Sequence, residues 1–157
     1  MTDFARLLNV LTAEGVEFIL VGGAAGIAHG ASRLTQDLDV VYRRTADNLD
    51  RLARALQPVA PYLRGAPPGL PFRLTAQTLN QGCNFTLSTS LGDLDLLGEI
   101  TAGGSFEKLA QSTVVIQVFG IECLCLDLET LIRVKRAVGR AKDLEAIGEL
   151  EALLEGG

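Results

Sequence analysis

An apolar run that stops at a glycine pair, Phe18-Ile-Leu-Val-Gly22-Gly23, and a second run opened by two aspartates, Asp37-Leu-Asp39-Val-Val-Tyr42, constrain this chain more than any other part of it. Short runs of Ile, Leu and Val read as buried strands, and glycines at the end of one let the backbone turn sharply and come close to a ligand. Side chains two apart on a strand share a face. Asp37 and Asp39 are therefore expected to stand side by side while Leu38 and Val40 enter the core. Strand, glycine turn, short helix and acid-headed strand together predict a place for a phosphate chain and for the cation that accompanies it.

The rest of the chain supplies an α/β frame. Phe4, Leu7, Leu8 and Leu11 recur at helical spacing behind Thr2 and Asp3, which predicts a helix ending near Gly15. A strand is expected over 17–21, a short helix over 24–28 closed by His29-Gly30, a strand over 38–42 and a helix over 46–56. Five prolines and two glycines between Gln57 and Pro71 exclude a regular helix or a central strand and predict a surface loop. Segments 72–78, 83–88 and 94–100 read as short antiparallel strands, with Gly82 and Gly92 at the turns. A one-turn helix capped by Ser105, a hairpin through Gly120 and two helices over 127–138 and 141–154, parted by Gly139, complete the pattern.

A length of 157 residues with 48% hydrophobic content fits a single domain, 1–157. The net charge of −5 argues against broad coating of DNA or acidic membranes, which depends on an excess of Lys and Arg. The N-terminus has no basic segment ahead of a long apolar run, and the most apolar stretch, 18–28, is too short to span a bilayer, so a cytoplasmic protein without a membrane segment is expected. Cys83, Cys123 and Cys125 read as small buried thiols. A zinc site would need further ligands, and the only histidine, His29, is distant in sequence.

A second acidic strand, Gly92-Asp93-Leu-Asp95-Leu-Leu, repeats the logic of the first. A third carboxylate beside a two-aspartate cation site can bind the catalytic metal and draw the proton from an attacking hydroxyl. Asp95, flanked by leucines, is the candidate, and Asp93 beside the turn is expected to be solvated. Arg33 either holds a phosphate, braces Asp37 or makes a surface salt bridge. His29 is expected to close the short helix on its last carbonyls. Arg43, Arg44, Arg51 and Arg54 form either a resting place for an RNA acceptor or a solvated helix face.

The run His29-Gly30-Ala-Ser-Arg33-Leu-Thr35-Gln-Asp37-Leu-Asp39, the glycine pair before it and Leu94-Asp95-Leu96 after it resemble the minimal nucleotidyltransferases of the DNA polymerase β-like superfamily, in particular abortive-infection (AbiEii-type) toxin-like members. The resemblance covers most of the chain and extends to Lys135-Arg136-Ala-Val-Gly-Arg140-Ala-Lys142-Asp143-Leu144. It implies a nucleotidyltransferase fold, with a short mixed sheet, helices mainly on one side and a C-terminal helical pair. It also implies a transfer of a nucleoside monophosphate from a nucleoside triphosphate to an acceptor hydroxyl on tRNA, a protein or a small molecule. Asp37, Asp39 and Asp95 would be the catalytic acids and hold magnesium, with manganese as the alternative. Gly22, Gly23, Arg33, Lys135 and Asp143 would bind the nucleotide, with Lys135 as an exposed cation that contributes little to folding. Such a chain could be the toxin of a toxin-antitoxin pair with an antitoxin partner, or a non-catalytic module of the same fold that binds a nucleotide or protein. Where the Gly-Ser form of the turn offers a hydroxyl, this chain has Ala24.

Overall fold

The computed structural model describes residues 2–156. Helix α1 (Phe4–Ala13) is capped by Asp3, whose carboxylate accepts from the Arg6 N–H, and it buries Leu7, Leu8 and Leu11. It leads into strand β1 (Phe18–Val21), every residue of which is buried. Helix α2 (Gly22–Ala28), strand β2 (Asp37–Tyr42) and helix α3 (Ala46–Leu56) follow, the last capped by Thr45. The glycine pair thus lies inside the first turn of α2 rather than ahead of a helix over 24–28.

The proline-rich segment is not wholly irregular. It carries strand β3 (Tyr62–Leu63), which lies at an edge of the sheet, where a chain interrupted by prolines can still pair on one side. The expected strand over 72–78 is absent. Thr75 caps a helix, α4 (Ala76–Gln81), by accepting from the Thr78 N–H, so a local side-chain bond overrides the alternating pattern. Strands β4 (Phe85–Thr89), β5 (Gly92–Leu97), β6 (Glu99–Ile100) and β7 (Gly104–Ser105) precede helix α5 (Phe106–Leu109). The hairpin of β8 (Thr113–Val118) and β9 (Ile121–Leu126) and the helices α6 (Leu128–Val138) and α7 (Ala141–Gly156) close the fold. Among the described residues no helix is long and apolar enough to cross a membrane.

Seven strands form one mixed sheet in the order β3-β4-β5-β2-β1-β9-β8. β4 and β5 pair antiparallel, as expected of segments 83–88 and 94–100, while β2 runs antiparallel to β1 and parallel to β5. The β2–β5 register sets Asp37 opposite Asp93, Leu38 opposite Leu94, Asp39 opposite Asp95 and Val40 opposite Leu96. Leu38, Val40, Leu94 and Leu96 are fully buried. At about 1.5–3 kcal/mol for each such side chain, a slip by one residue would forfeit their burial and drive carboxylates into the core. That face therefore fixes the position of every acid on the other.

Asn48, buried in α3, ties three chain segments together. Its side-chain oxygen accepts from the Glu17 N–H (2.7 Å), and its amide donates to the carbonyls of Glu17 (3.0 Å) and Arg43 (2.7 Å). These bonds hold the start of β1 and the end of β2 against α3. Asn48→Ala is expected to destabilise the fold by about 3 kcal/mol, because it removes three hydrogen bonds of about 1 kcal/mol each from a buried side chain. Chemical denaturation should show the loss, and a midpoint unchanged from wild type would refute this role.

Candidate active site

Asp37 and Asp39 on β2 and Asp95 on β5 converge, each offering a carboxylate oxygen within 4.8 Å of the other two. The spacing on two strands and the register between them suffice to bring these three groups together. Asp93 also faces the cluster and is not simply solvated by the turn: its Oδ1 lies 3.4 Å from Nε of Arg64.

Asp39 is the electrostatic centre of the group. Burial, repulsion from Asp95, a hydrogen bond shared with Asp95 and repulsion from Asp37 push its carboxyl up to about 7, against the attraction of Lys135. Its Oδ1 is buried without a hydrogen-bond partner. A buried, unpartnered oxygen between two other carboxylates fits a hard divalent cation, which takes oxygen ligands and relieves their mutual repulsion.

The glycine turn is shaped around Asp39. Gly22 has φ +66°, and a Cβ added there would collide with Asp39 Oδ2 and stand 3.0 Å from its Cβ. Backbone conformation and space both demand glycine. A Cβ on Gly23 would come within 2.7 Å of Thr35 Oγ1. Ala24 is fully buried, so a hydroxyl at that position would not reach the cleft. The hydroxyl beside the turn is instead that of Thr35, a residue of the His29–Asp39 run to which the sequence attached no role.

Lys135 on α6 and Asp143 on α7 both line the same cleft of 360 Å³ as Gly22, Gly23, Asp37 and Asp39. Lys135 is not the exposed cation expected: its side chain is 14% exposed, with Nζ 4.0 Å from Asp143 Oδ1. Burial holds it below its ordinary pKa, opposed by Asp143 and Asp39. Asp143 is itself buried and is gripped by Arg140, whose Nε donates to Oδ2 at 2.6 Å. Burial works to raise the Asp143 carboxyl, but the hydrogen bond and charge of Arg140 and the charge of Lys135 outweigh it and leave the carboxyl below its usual range. Asp143 thus orients two cations at the cleft. A second hollow of 280 Å³ opens beside Asp39, with Leu97, Ile100 and Val134 in its walls; it shares Lys135, Arg140 and Asp143 with the cleft and adds Asn84, Glu99 and Thr101 as polar groups.

Other candidates fall elsewhere. Arg33 lines the cleft but pairs with Glu145 (3.6 Å), on the surface, rather than with Asp37. His29 does close α2, but through its backbone N–H, which donates to the Ala25 and Gly26 carbonyls (both 3.1 Å); its ring instead bonds the Leu126 carbonyl of β9 through Nε2 at 2.7 Å and joins α2 to the sheet. The four arginines near α3 are engaged: Arg43 by Glu17 and Glu107, Arg44 by Tyr42 and the Leu79 and Asn80 carbonyls, Arg51 by Asp47 and Arg54 by Glu14. Arg43, Arg51 and Arg54 are neutralised by carboxylates and Arg44 is tied to neutral oxygens, so together they form no open basic platform. Cys123 and Cys125 are buried, and burial pushes their thiols up to about 11 and about 12, whereas Cys83 is exposed.

The residue that sequence reasoning missed is Arg64, from the proline-rich segment, which reaches Asp37, Asp93 and Asp95. Only the pairing of β3 with β4 brings it there. No local pattern of the sequence signals that pairing.

The architecture defines the class of fold. The chain matches no family model and no curated protein. Among solved structures, TM1012 from Thermotoga maritima, assigned as a nucleotidyltransferase, aligns over 93% of this chain and 88% of its own, with TM-score 0.58 and 13% identity. The lincosamide antibiotic adenylyltransferase LnuA, solved with lincomycin bound, aligns over 97% of this chain and 98% of its own, with TM-score 0.63 and 15% identity. The chain has the nucleotidyltransferase fold.

The raised Asp39 carboxyl gives a pH dependence of defined sign. Between about 3.8 and about 7 the folded state keeps a proton that the unfolded state releases, so its contribution to stability is full below that window and is lost as pH rises through it. Thermal melts in EDTA should therefore fall from pH 5 to pH 8 more steeply for wild type than for Asp39→Asn. A cation binding at Asp39 must expel the proton, so magnesium affinity should weaken by up to about tenfold per pH unit below 7. Calorimetric titrations at pH 6, 7 and 8 giving one affinity would contradict the assignment.

Proposed function

We propose that this chain is a divalent-metal-dependent nucleotidyltransferase that moves a nucleoside monophosphate from a nucleoside triphosphate to an acceptor hydroxyl and releases pyrophosphate. The observation that carries the reading is the convergence of Asp37, Asp39 and Asp95 beside a glycine turn and a buried lysine. Asp37, Asp39 and Asp95 would hold the metal, magnesium or manganese. When bound it would neutralise the triphosphate and make the acceptor hydroxyl easier to ionise.

The protein's own groups divide the remaining work. Gly22 and Gly23 admit the triphosphate close to the backbone, and Lys135 and Arg33 offer positive charge along the same cleft. Asp143, itself held by Arg140, fixes the Lys135 ammonium from behind. Asp95, opposite Asp39 on the paired strand and near Asp93, would take the proton of an acceptor approaching from the β4–β5 side.

Among acceptors, a small molecule has the most specific support. LnuA has the same fold and nearly the same extent as this chain, and its name and bound lincomycin identify an antibiotic adenylyltransferase. A tRNA acceptor would need free basic surface, yet the arginines of α3 are paired and the chain carries net charge −5. The toxin reading rests on sequence resemblance alone. It predicts growth arrest on expression, relieved by Asp39→Asn or by an antitoxin.

Incubation with magnesium, each labelled triphosphate and pools of small hydroxylated compounds, protein or tRNA should yield pyrophosphate and a labelled acceptor. Asp39→Asn is expected to abolish the transfer. Lys135→Met, which keeps the buried stem, should lower turnover by roughly 10²–10³-fold with melting temperature nearly unchanged. A wild-type protein that binds triphosphate yet releases no pyrophosphate with any acceptor would instead be a binding module of this fold.

A further inference from the structure

We propose that Arg64 is a resident counter-ion of the acid cluster, which a divalent ion must displace from Asp95, so that metal loading releases the proline-rich segment that carries it. This inference rests on the reading of Asp37, Asp39 and Asp95 as metal ligands.

Arg64 directly follows β3, and its backbone N–H donates to the Thr86 carbonyl at 3.0 Å. Its side chain crosses β4 to β5, where Nη2 donates to the Leu87 carbonyl (2.7 Å) and to Asp95 Oδ1 (2.8 Å). Nε lies 3.4 Å from Asp93 Oδ1 and Nη1 3.9 Å from Asp37 Oδ2. One guanidinium thus serves three of the four acids that the β2–β5 register sets side by side. Like charges directly opposite on paired strands repel, and the guanidinium offsets part of the repulsion that the buried opposite face imposes on the metal-free cluster.

The hold is incomplete. Nε is buried without a hydrogen-bond partner, and the contact with Asp37 is long. A divalent ion brings twice the charge to oxygen ligands at roughly 2.0–2.6 Å, closer than any nitrogen of Arg64 approaches. Asp95 already spends one oxygen on Arg64 while lying directly across the β2–β5 pair from Asp39. Drawing Asp95 to an ion shared with Asp37 and Asp39 sets a double positive charge beside the guanidinium and takes its best partner.

The segment is built to yield. β3 is a two-residue edge strand, and Gly65 (φ +83°) and Gly69 (φ +89°) follow with open space around them. Arg64 itself exchanges no proton or electron: it stays protonated and passes to solvent as the cation enters, while any proton held on Asp39 is released to solvent.

Manganese titrated by calorimetry into wild type, Arg64→Gln, Arg64→Lys and Asp39→Asn, without nucleotide, tests the proposal. Arg64→Gln should bind about tenfold more tightly than wild type, the scale of one unit charge removed near a divalent ion in a water-like dielectric. Arg64→Lys keeps the charge without the fork, so it should fold if Arg64→Gln does not and should bind with an affinity between the two. Amide exchange over residues 62–70 of wild type should quicken when manganese is added. If both Arg64 variants bind no more tightly than wild type while Asp39→Asn loses binding, the acids hold metal but Arg64 does not compete, and the proposal fails alone. Tighter binding with unchanged amide exchange would overturn the coupling to the segment. No manganese binding by wild type or either Arg64 variant would remove the metal reading and this proposal with it.

Discussion

Two Asp-x-Asp motifs lie side by side on parallel neighbouring strands, Asp37 against Asp93 and Asp39 against Asp95, and everything else at the site answers to that juxtaposition. The arrangement is electrostatically unfavourable and is imposed from the other face of the sheet, where Leu38, Val40, Leu94 and Leu96 are fully buried. Hydrophobic burial at about 1.5–3 kcal/mol per residue fixes the register, and the acids are carried along. A cluster held together by its backing rather than by its own attraction remains poised to take up positive charge. The buried, unpartnered oxygen of Asp39 records the same tension.

Positive charge reaches the cluster from two directions with different firmness. Lys135 comes from α6 and is fixed by the buried Asp143, which also engages Arg140. That anchoring suits a group that must stay in place while a polyphosphate comes and goes, because a preorganised cation costs no reorganisation on binding. Arg64 comes from the opposite edge of the sheet, from a short strand between prolines and glycines, with one of its nitrogens unsatisfied. The fixed cation belongs to the cleft with the glycine turn, and the loosely held one to the side of Asp95, where the proposed acceptor arrives.

Those parts of the fold and site that depend on local spacing were legible in the sequence. The buried strand before Gly22, the acid-headed strand, the leucine-flanked Asp95 and the two closing helices follow from periods of two and of three to four residues and from glycine stops. Convergence of the three acids needed only that β2 and β5 be neighbours. The strand expected over 72–78 went wrong because alternation there is weaker than the Thr75 cap. The environment of Lys135 was misjudged because its burial depends on how α6 and α7 meet, which sequence spacing does not specify. Arg64 was invisible for the same reason: a lone arginine in a proline-rich stretch acquires meaning only through β3–β4 pairing.

Pairing also decides how the remaining charges should be read. Sequence alone lets the arginines around α3 pass for a nucleic-acid platform, but a guanidinium already bonded to Glu14, Glu17, Asp47 or Glu107 must break that pairing before it neutralises a phosphate. Surface pairs of this kind contribute little to stability, about 0–1 kcal/mol each, yet they cancel the long-range field on which nonspecific polyanion binding depends. The cations that face an open cleft are instead those around Asp39 and Asp143, within a space of 360 Å³. The adjoining hollow shares Asp39, Lys135, Arg140 and Asp143 with that cleft and adds Leu97, Ile100 and Val134, so the same fixed charges border both spaces and the second adds an apolar wall.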